Sequence, residues 1–254
     1  MEKVTYSIEN ETGWITINRP EVRNAVDFHV MDQLDHYITE ASKNEKVKIL
    51  VIRGAGKQAF CAGGDLRAFS GLKTERQAHT MLSKMGEVLR HLFLFPKPTA
   101  ALINGTAVGG GCEIAAACDI RIASANVKVG FLQGTLGITT GWGGGTYLME
   151  RVRKLDALDM LWSAGKLTAK QAADKGFLQY LIKDGDIQTE CTKYLRRYTE
   201  HSVNVLKAYK QVYLRSLPLH EINKRVDEEI KTCAKLWESE NHHHAVAAFF
   251  NNTN

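Results

Sequence analysis

The segment ALINGTAVGGGCEIAAACD, residues 101–119, decides how the rest of the chain is read. It continues an apolar run, residues 99–103, with the composition of a buried strand. Asn104 and Gly105 break that run, and three consecutive glycines, Gly109, Gly110 and Gly111, remove every side chain from the next turn. From Cys112 to Cys118 the residues are small and apolar except for Glu113, a pattern that predicts a buried helix with a carboxylate in its first turn. Helix N-termini carry unpaired N–H groups and partial positive charge, and glycine lets a ligand approach that backbone closely. Bare N–H donors beside a partly buried acid are two of the parts an acyl-transforming site needs.

Upstream, residues 4–8 and 13–18 alternate as strands about Glu9-Asn10-Glu11 and predict a hairpin. Apolar residues recur at helical spacing over 27–42, and residues 47–53 (VKILVIR) read as a buried strand, so strand, helix and strand form a crossover unit. FCAGGDLR, residues 60–67, is a second glycine-rich turn after a strand. Residues 69–80 read as a polar loop or lid, and 77–95 as an amphipathic helix stopped by Pro96 and Pro98. Residues 120–123 form a further strand, while 127–145 resist assignment. Beyond Gly145 the chain turns helical: 146–163, 168–175, 187–216, 219–240 and 242–250, with Thr168 and Gln171 as a capping box.

The 254 residues suffice for a sizeable core, and 44% hydrophobic with 24% charged residues is ordinary for a globular chain. The net charge of +5 is spread without a Lys/Arg block, which points to a solvated basic surface and away from nucleic acid. Five cysteines form no CxxC pair and fit small core residues in a reduced compartment, not disulfides or a metal site. The N-terminal residues show no apolar signal core and no run approaches membrane-spanning length, so a cytoplasmic location is expected. His242, His243 and His244 open an amphipathic stretch and read as a solvated helix start, and Trp142 as a packing residue.

The pair FCAGGDL (60–66) and NGTAVGGGCEIAAACDIRIAS (104–124) resembles the crotonase superfamily, the enoyl-CoA hydratase/isomerase proteins. ITINRPEVRNAV (15–26), GWGGG (141–145) and GKLTAKQAADKGFLQYLI (165–182) match in the same order. The resemblance implies an α/β fold: a spiral of repeated β-β-α units over residues 1–190, with a helical region at 191–254 for trimerisation and pocket cover. It implies an acyl-CoA thioester substrate, no cofactor beyond the coenzyme A of that substrate, no metal, and a homotrimer or a hexamer. The backbone N–H groups of Gly64 and Gly110 would polarise the thioester carbonyl. Ala62, Gly64, Asp65, Leu66 and Arg67 would run along the coenzyme A, with Arg67 a phosphate contact, and Glu113 would be the principal catalytic acid.

One position departs from that pattern. Family hydratases carry a second glutamate twenty residues after the first, and the place is taken here by Gln133. Glutamine can hydrogen-bond but cannot ionise, which makes it a polar positioning group. Asp65 and Glu150 are the nearest acids to consider as replacements. Hydration of a 2-enoyl-CoA is the default reaction of the family. Decarboxylation of a malonyl-type (methylmalonyl or ethylmalonyl) thioester, double-bond isomerisation, and an impaired acyl-CoA-binding homologue stay open. Decarboxylating members lack the second acid, and the patch from Trp142 to Gly144 resembles some of them.

Overall fold

A computed structural model describes residues 2–251. The chain opens with a hairpin of β1 (Val4–Glu9) and β2 (Thr12–Ile17). Asn10 and Glu11 both take the left-handed backbone of a two-residue hairpin turn. Asp27 caps α1 (Phe28–Lys43) by accepting the Val30 N–H. There follow β3 (Ile49–Gly54), β4 (Ala59–Cys61), α2 (Leu66–Phe69) and α3 (Glu75–Phe93). The same order repeats as β5 (Thr99–Ile103), β6 (Thr106–Val108) and α4 (Gly110–Ala117), and begins again with β7 (Ile120–Ser124) and β8 (Lys128–Gly130). After a 3₁₀ turn at Leu132–Leu136 come α5 (Gly144–Arg151), α6 (Lys154–Trp162), β9 (Leu167–Thr168), α7 (Ala169–Asp174) and β10 (Tyr180–Ile182). Four helices end the chain: α8 (Ile187–Thr199), α9 (Val203–Ser216), α10 (Leu219–Trp237) and α11 (Glu240–Asn251).

In each repeat the first strand enters a six-stranded sheet, ordered β1-β2-β3-β5-β7-β10, and the second enters a four-stranded sheet, ordered β4-β6-β8-β9. Strands β3, β5 and β7 are mutually parallel, as are β4, β6 and β8, so each turn of chain stacks on the last. This is the β-β-α spiral. The apolar faces of α1, α3, α4 and α10 close one continuous core against it. Helix α10 lies close on α3: a Cβ at Gly86 would stand 2.6 Å from Ile230 Cδ1. A buried polar hub ties the late helices to the strands. Asp119 accepts from Thr99 N (2.9 Å), Arg151 (3.1 Å) and Lys210 Nζ (2.6 Å), joining β5, α5 and α9.

Three helix boundaries differ from the sequence expectation. Residues 69–80 are not a lid loop: α3 starts at Glu75 behind a capping box of Thr74 and Gln77. The stretch 146–163 is two helices, because Val152 is extended while Arg151 turns in to Asp119. The stretch 187–216 is also two, and Ser202 caps the second by accepting from Val205 N. The Thr168–Gln171 box caps α7 as expected.

Candidate active site

Strands β4 and β6 are parallel neighbours, with Ala59 opposite Thr106 and Cys61 opposite Ala107. Both glycine turns therefore leave the same edge of the small sheet, at the carboxyl ends of adjacent strands, where open α/β sheets hold ligands. Their contact demands glycine. A Cβ at Gly63 (φ +91) would stand 2.8 Å from Gly110 N, and one at Gly111 would stand 2.1 Å from the Cys61 carbonyl oxygen. Val26 brackets the first turn, donating to Gly63 O (2.8 Å) and accepting from Asp65 N (2.9 Å). That pairing skips the Gly64 N–H. Gly110 is the first residue of α4, so its N–H has no helical partner. Among the described residues, neither N–H is given to an acceptor. The Trp142 indole walls both: Cβ atoms placed at Gly110 and Gly64 would lie 2.1 Å and 3.6 Å from its ring. Trp142 packs, as expected, and it packs on the two glycines that matter.

Glu113 points from the first turn of α4 into the start of α5. Its Oε2 accepts from Trp142 N (2.8 Å) and Gly144 N (3.0 Å), and its Oε1 accepts from Gln133 Nε2 (2.8 Å) and, at 3.5 Å, from Gly141 N. Gly144 permits this approach, since a Cβ there would be 2.2 Å from Glu113 Cγ. The carboxyl is 2% exposed, and burial pushes its pKa up to about 7. The charge of Glu229 adds to that rise, while the N–H donors oppose it. Gln133 sits in the 3₁₀ turn, and its Oε1 is buried with no partner among the described residues.

The remaining expected residues lie around the first turn. Ala62 donates its N–H to Arg23 O (3.1 Å), and Leu66 is half-buried. Asp65 caps α2, accepting from Arg67 N and Ala68 N, and pairs with Arg19 at 2.9 Å. Arg67 is exposed. Beside the turn, a cleft lined by Leu66, Phe69, Leu72, Lys73, Trp237 and His243 runs beneath α11. Both acids considered as replacements are ion-paired, Asp65 with Arg19 at 2.9 Å and Glu150 with Arg225 at 2.5 Å.

The acid nearest Glu113 in this network is Glu229 of α10. It accepts from Gly145 N (3.1 Å), Thr146 N (2.8 Å) and Thr146 Oγ1 (2.8 Å). Nothing local singled it out, since it stands in an acidic stretch of an amphipathic helix like any solvated residue. His242 also corrects the expectation of a solvated helix start. It is 2% exposed, with its ring Nδ1 2.7 Å from Leu136 O. All five cysteines are buried and free, and no group of three or more His, Cys, Asp or Glu is arranged for a metal among the described residues. No helix among them is long and apolar enough to cross a membrane.

A parallel β-β-α spiral with two unengaged glycine N–H groups beside a buried acid defines an enzyme of the crotonase type. The chain belongs to the enoyl-CoA hydratase/isomerase family, whose model matches residues 7–254. It is 29% identical over 250 residues to a short-chain-enoyl-CoA hydratase of Clostridium acetobutylicum, covering 98% of this chain and 95% of that one. It is 32% identical over 203 residues to an ethylmalonyl-CoA decarboxylase of Bos taurus, covering 78% and 66%. In fold it resembles an enoyl-CoA hydratase/isomerase from Xanthobacter autotrophicus Py2, with a TM-score of 0.89 at 22% identity over 99% of this chain and 98% of the other.

Proposed function

We propose that this enzyme binds an acyl-CoA thioester with its carbonyl on the N–H groups of Gly64 and Gly110, forms the enolate there, and decarboxylates a malonyl-type substrate. The single observation that carries the choice is Gln133, a neutral side chain where hydration would need a second carboxylate. In decarboxylation the bond from the α-carbon to the carboxylate breaks, its electron pair enters the enolate, and carbon dioxide leaves. Protonated Glu113 then gives its proton to the α-carbon and recovers one from solvent. One proton handler suffices. Two fixed donors on the enolate oxygen stabilise the charge that develops, and each is worth roughly 3–4 kcal/mol. The sequence expectation put hydration of a 2-enoyl-CoA first. The full-length similarity to the clostridial hydratase supports that as the second reading.

Residues 62–67 would receive the coenzyme A portion, with no cofactor besides. We also read the chain as a homotrimer or hexamer, with 191–254 as its helical assembly region beside a core of 1–190. Supporting this are Leu155 (80% exposed) and Trp162 (78%) on one face of α6, and the exposed run of Val205, Tyr209 and Val212 on α9.

The test is incubation of purified protein with methylmalonyl-CoA, ethylmalonyl-CoA and crotonyl-CoA. Release of carbon dioxide that Glu113→Ala abolishes supports the first reading. Fast hydration of crotonyl-CoA with negligible decarboxylation overturns it, and Gln133→Glu is expected to move activity toward hydration. Acyl-CoA binding without turnover would instead mark an impaired homologue.

A further inference from the structure

We propose that Glu229 is a positioning residue of this site: lodged on the same helix end as Glu113, it governs when Glu113 holds its proton. The proposal rests on the reading of Glu113 as the proton-handling group.

The N-terminal donors of α5 are divided between two carboxylates. Trp142 N and Gly144 N go to Glu113, whereas Gly145 N and Thr146 N, the next donors along, go to Glu229. A helix end carries roughly half a positive charge, enough to favour one anion and not two. The surroundings are tightly packed: Cβ atoms placed at Gly141 and Gly143 would meet Cys233 Sγ at 2.6 Å and Val226 Cγ1 at 2.9 Å. Charges at such a place are weakly screened. One of the two carboxylates therefore takes a proton near neutral pH. Glu113 is the deeper of the two, while Glu229 is half-buried and has the Thr146 hydroxyl as an extra donor. Glu113, the deeper carboxyl, becomes the acid.

The other titratable groups facing the pair do not compete. Burial pushes up the thiols of Cys112 on α4 and Cys233 on α10, and the phenol of Tyr147 on α5, so all three stay neutral. Arg90 on α3, the cation beside Tyr147, is engaged by Asp227 (2.7 Å) and Glu87 (3.4 Å). The negative charge left pressing on Glu113 is that of Glu229. An α-carbon enolate needs a proton donor that refills at neutral pH, which is the condition this pairing creates.

The experiment is a carboxyl ¹³C NMR titration of protein labelled at the glutamate side-chain carboxyl. It compares the wild-type chain, Glu113→Gln to assign the resonance, Glu229→Gln and Glu229→Asp. Glutamine at 229 keeps an oxygen to accept from Gly145 and Thr146, so the helix end stays capped. The expected result is a Glu113 midpoint near neutral pH that drops by roughly one unit in Glu229→Gln. Glu229→Asp, which keeps the charge, should stay near the wild-type value. The pH profile of acyl-CoA turnover should follow the same shifts. A Glu113 midpoint unmoved in Glu229→Gln overturns the proposal, whatever happens to activity. An equal drop in Glu229→Asp also overturns it, because packing and not charge would then set the midpoint. If the midpoint moves as expected while wild-type protein turns over no acyl-CoA, the acid pair stands and the reaction assignment falls.

Discussion

Gly110→Ala tests, with a single methyl, the N–H proposed to bind the thioester. Built on the observed backbone, that methyl would lie 2.1 Å from Trp142 Cζ3, 2.4 Å from Cη2 and 2.8 Å from Cε3. The indole would have to retreat by about 1.3 Å to reach ordinary contact. It is not free to do so, because the Trp142 N–H is bonded to Glu113 at 2.8 Å and the ring is 4% exposed. Overpacking of this kind costs about 1–3 kcal/mol of stability. Displacing an enolate-binding donor costs roughly 3–4 kcal/mol in the transition state, a fall in kcat on the order of 10²–10³. Steady-state kinetics on the preferred acyl-CoA, with a thermal melt alongside, measure both. Gly109→Ala is the contrast: φ is +54 with nothing within 4 Å of the new Cβ, so strain lowers Tm while kcat changes far less. If Gly110→Ala kept kcat within about threefold of wild type while Gly109→Ala lost it, the placement of the thioester on Gly110 would be refuted.

Glu113→Gln should lower turnover by about 10²–10⁴. It should also flatten the pH dependence of stability. Glu113 sits at about 7 when folded against 4.5 unfolded, so the folded state holds more protons in that window, and stability drains as pH climbs through it. The loss is roughly 3 kcal/mol, and urea midpoints at pH 5 and pH 8 should differ less in the variant than in wild type. Asp119→Ala leaves Lys210 (5% exposed) and Arg151 without their shared anion, and should cost about 3–5 kcal/mol by urea unfolding. Trp162→Lys combined with Tyr209→Glu should reduce the assembly to single chains by light scattering if those exposed faces join copies, and leave Tm of the chain itself little changed.

The two glycine turns were legible because each glycine answers a backbone demand: a positive φ at Gly109, a carbonyl against Gly111, a neighbouring N–H against Gly63. The hairpin, α1 and the parallel strands were legible from periodicity, since half-buried and buried segments expose their spacing directly. What escaped was long-range. Helix α3 began earlier than its apolar stripe because Thr74 and Gln77 cap it in a polar stretch. The break at Val152 has no glycine or proline to mark it and follows from Arg151 reaching Asp119. Glu229 escaped because its partners are backbone N–H groups 83 and 84 residues earlier in the chain. A side chain that binds backbone far away leaves no pairing pattern in the sequence.

That distance also explains how Gln133 and Glu229 fit together. Glu113 accepts from three backbone N–H groups and so holds the 141–144 loop, and with it Trp142, against Gly64 and Gly110. Its presence alone is therefore weak support for any particular reaction, since the loop needs it regardless. The identity of residue 133 carries more. A glutamate there would put a second carboxylate at the 2.8 Å contact with Glu113 Oε1, on a helix end that already serves Glu229. Three acids on one half-charge would drive further protonation or separation of the groups. Burial first, and then the Glu229 charge, favour the acid form of Glu113, while the Trp142 and Gly144 N–H groups and the Gln133 amide favour its anion, and the balance leaves it near 7. Under the proposed decarboxylation, Gln133 removes a second carboxylate that hydration would use and leaves Glu113 as the single proton handler.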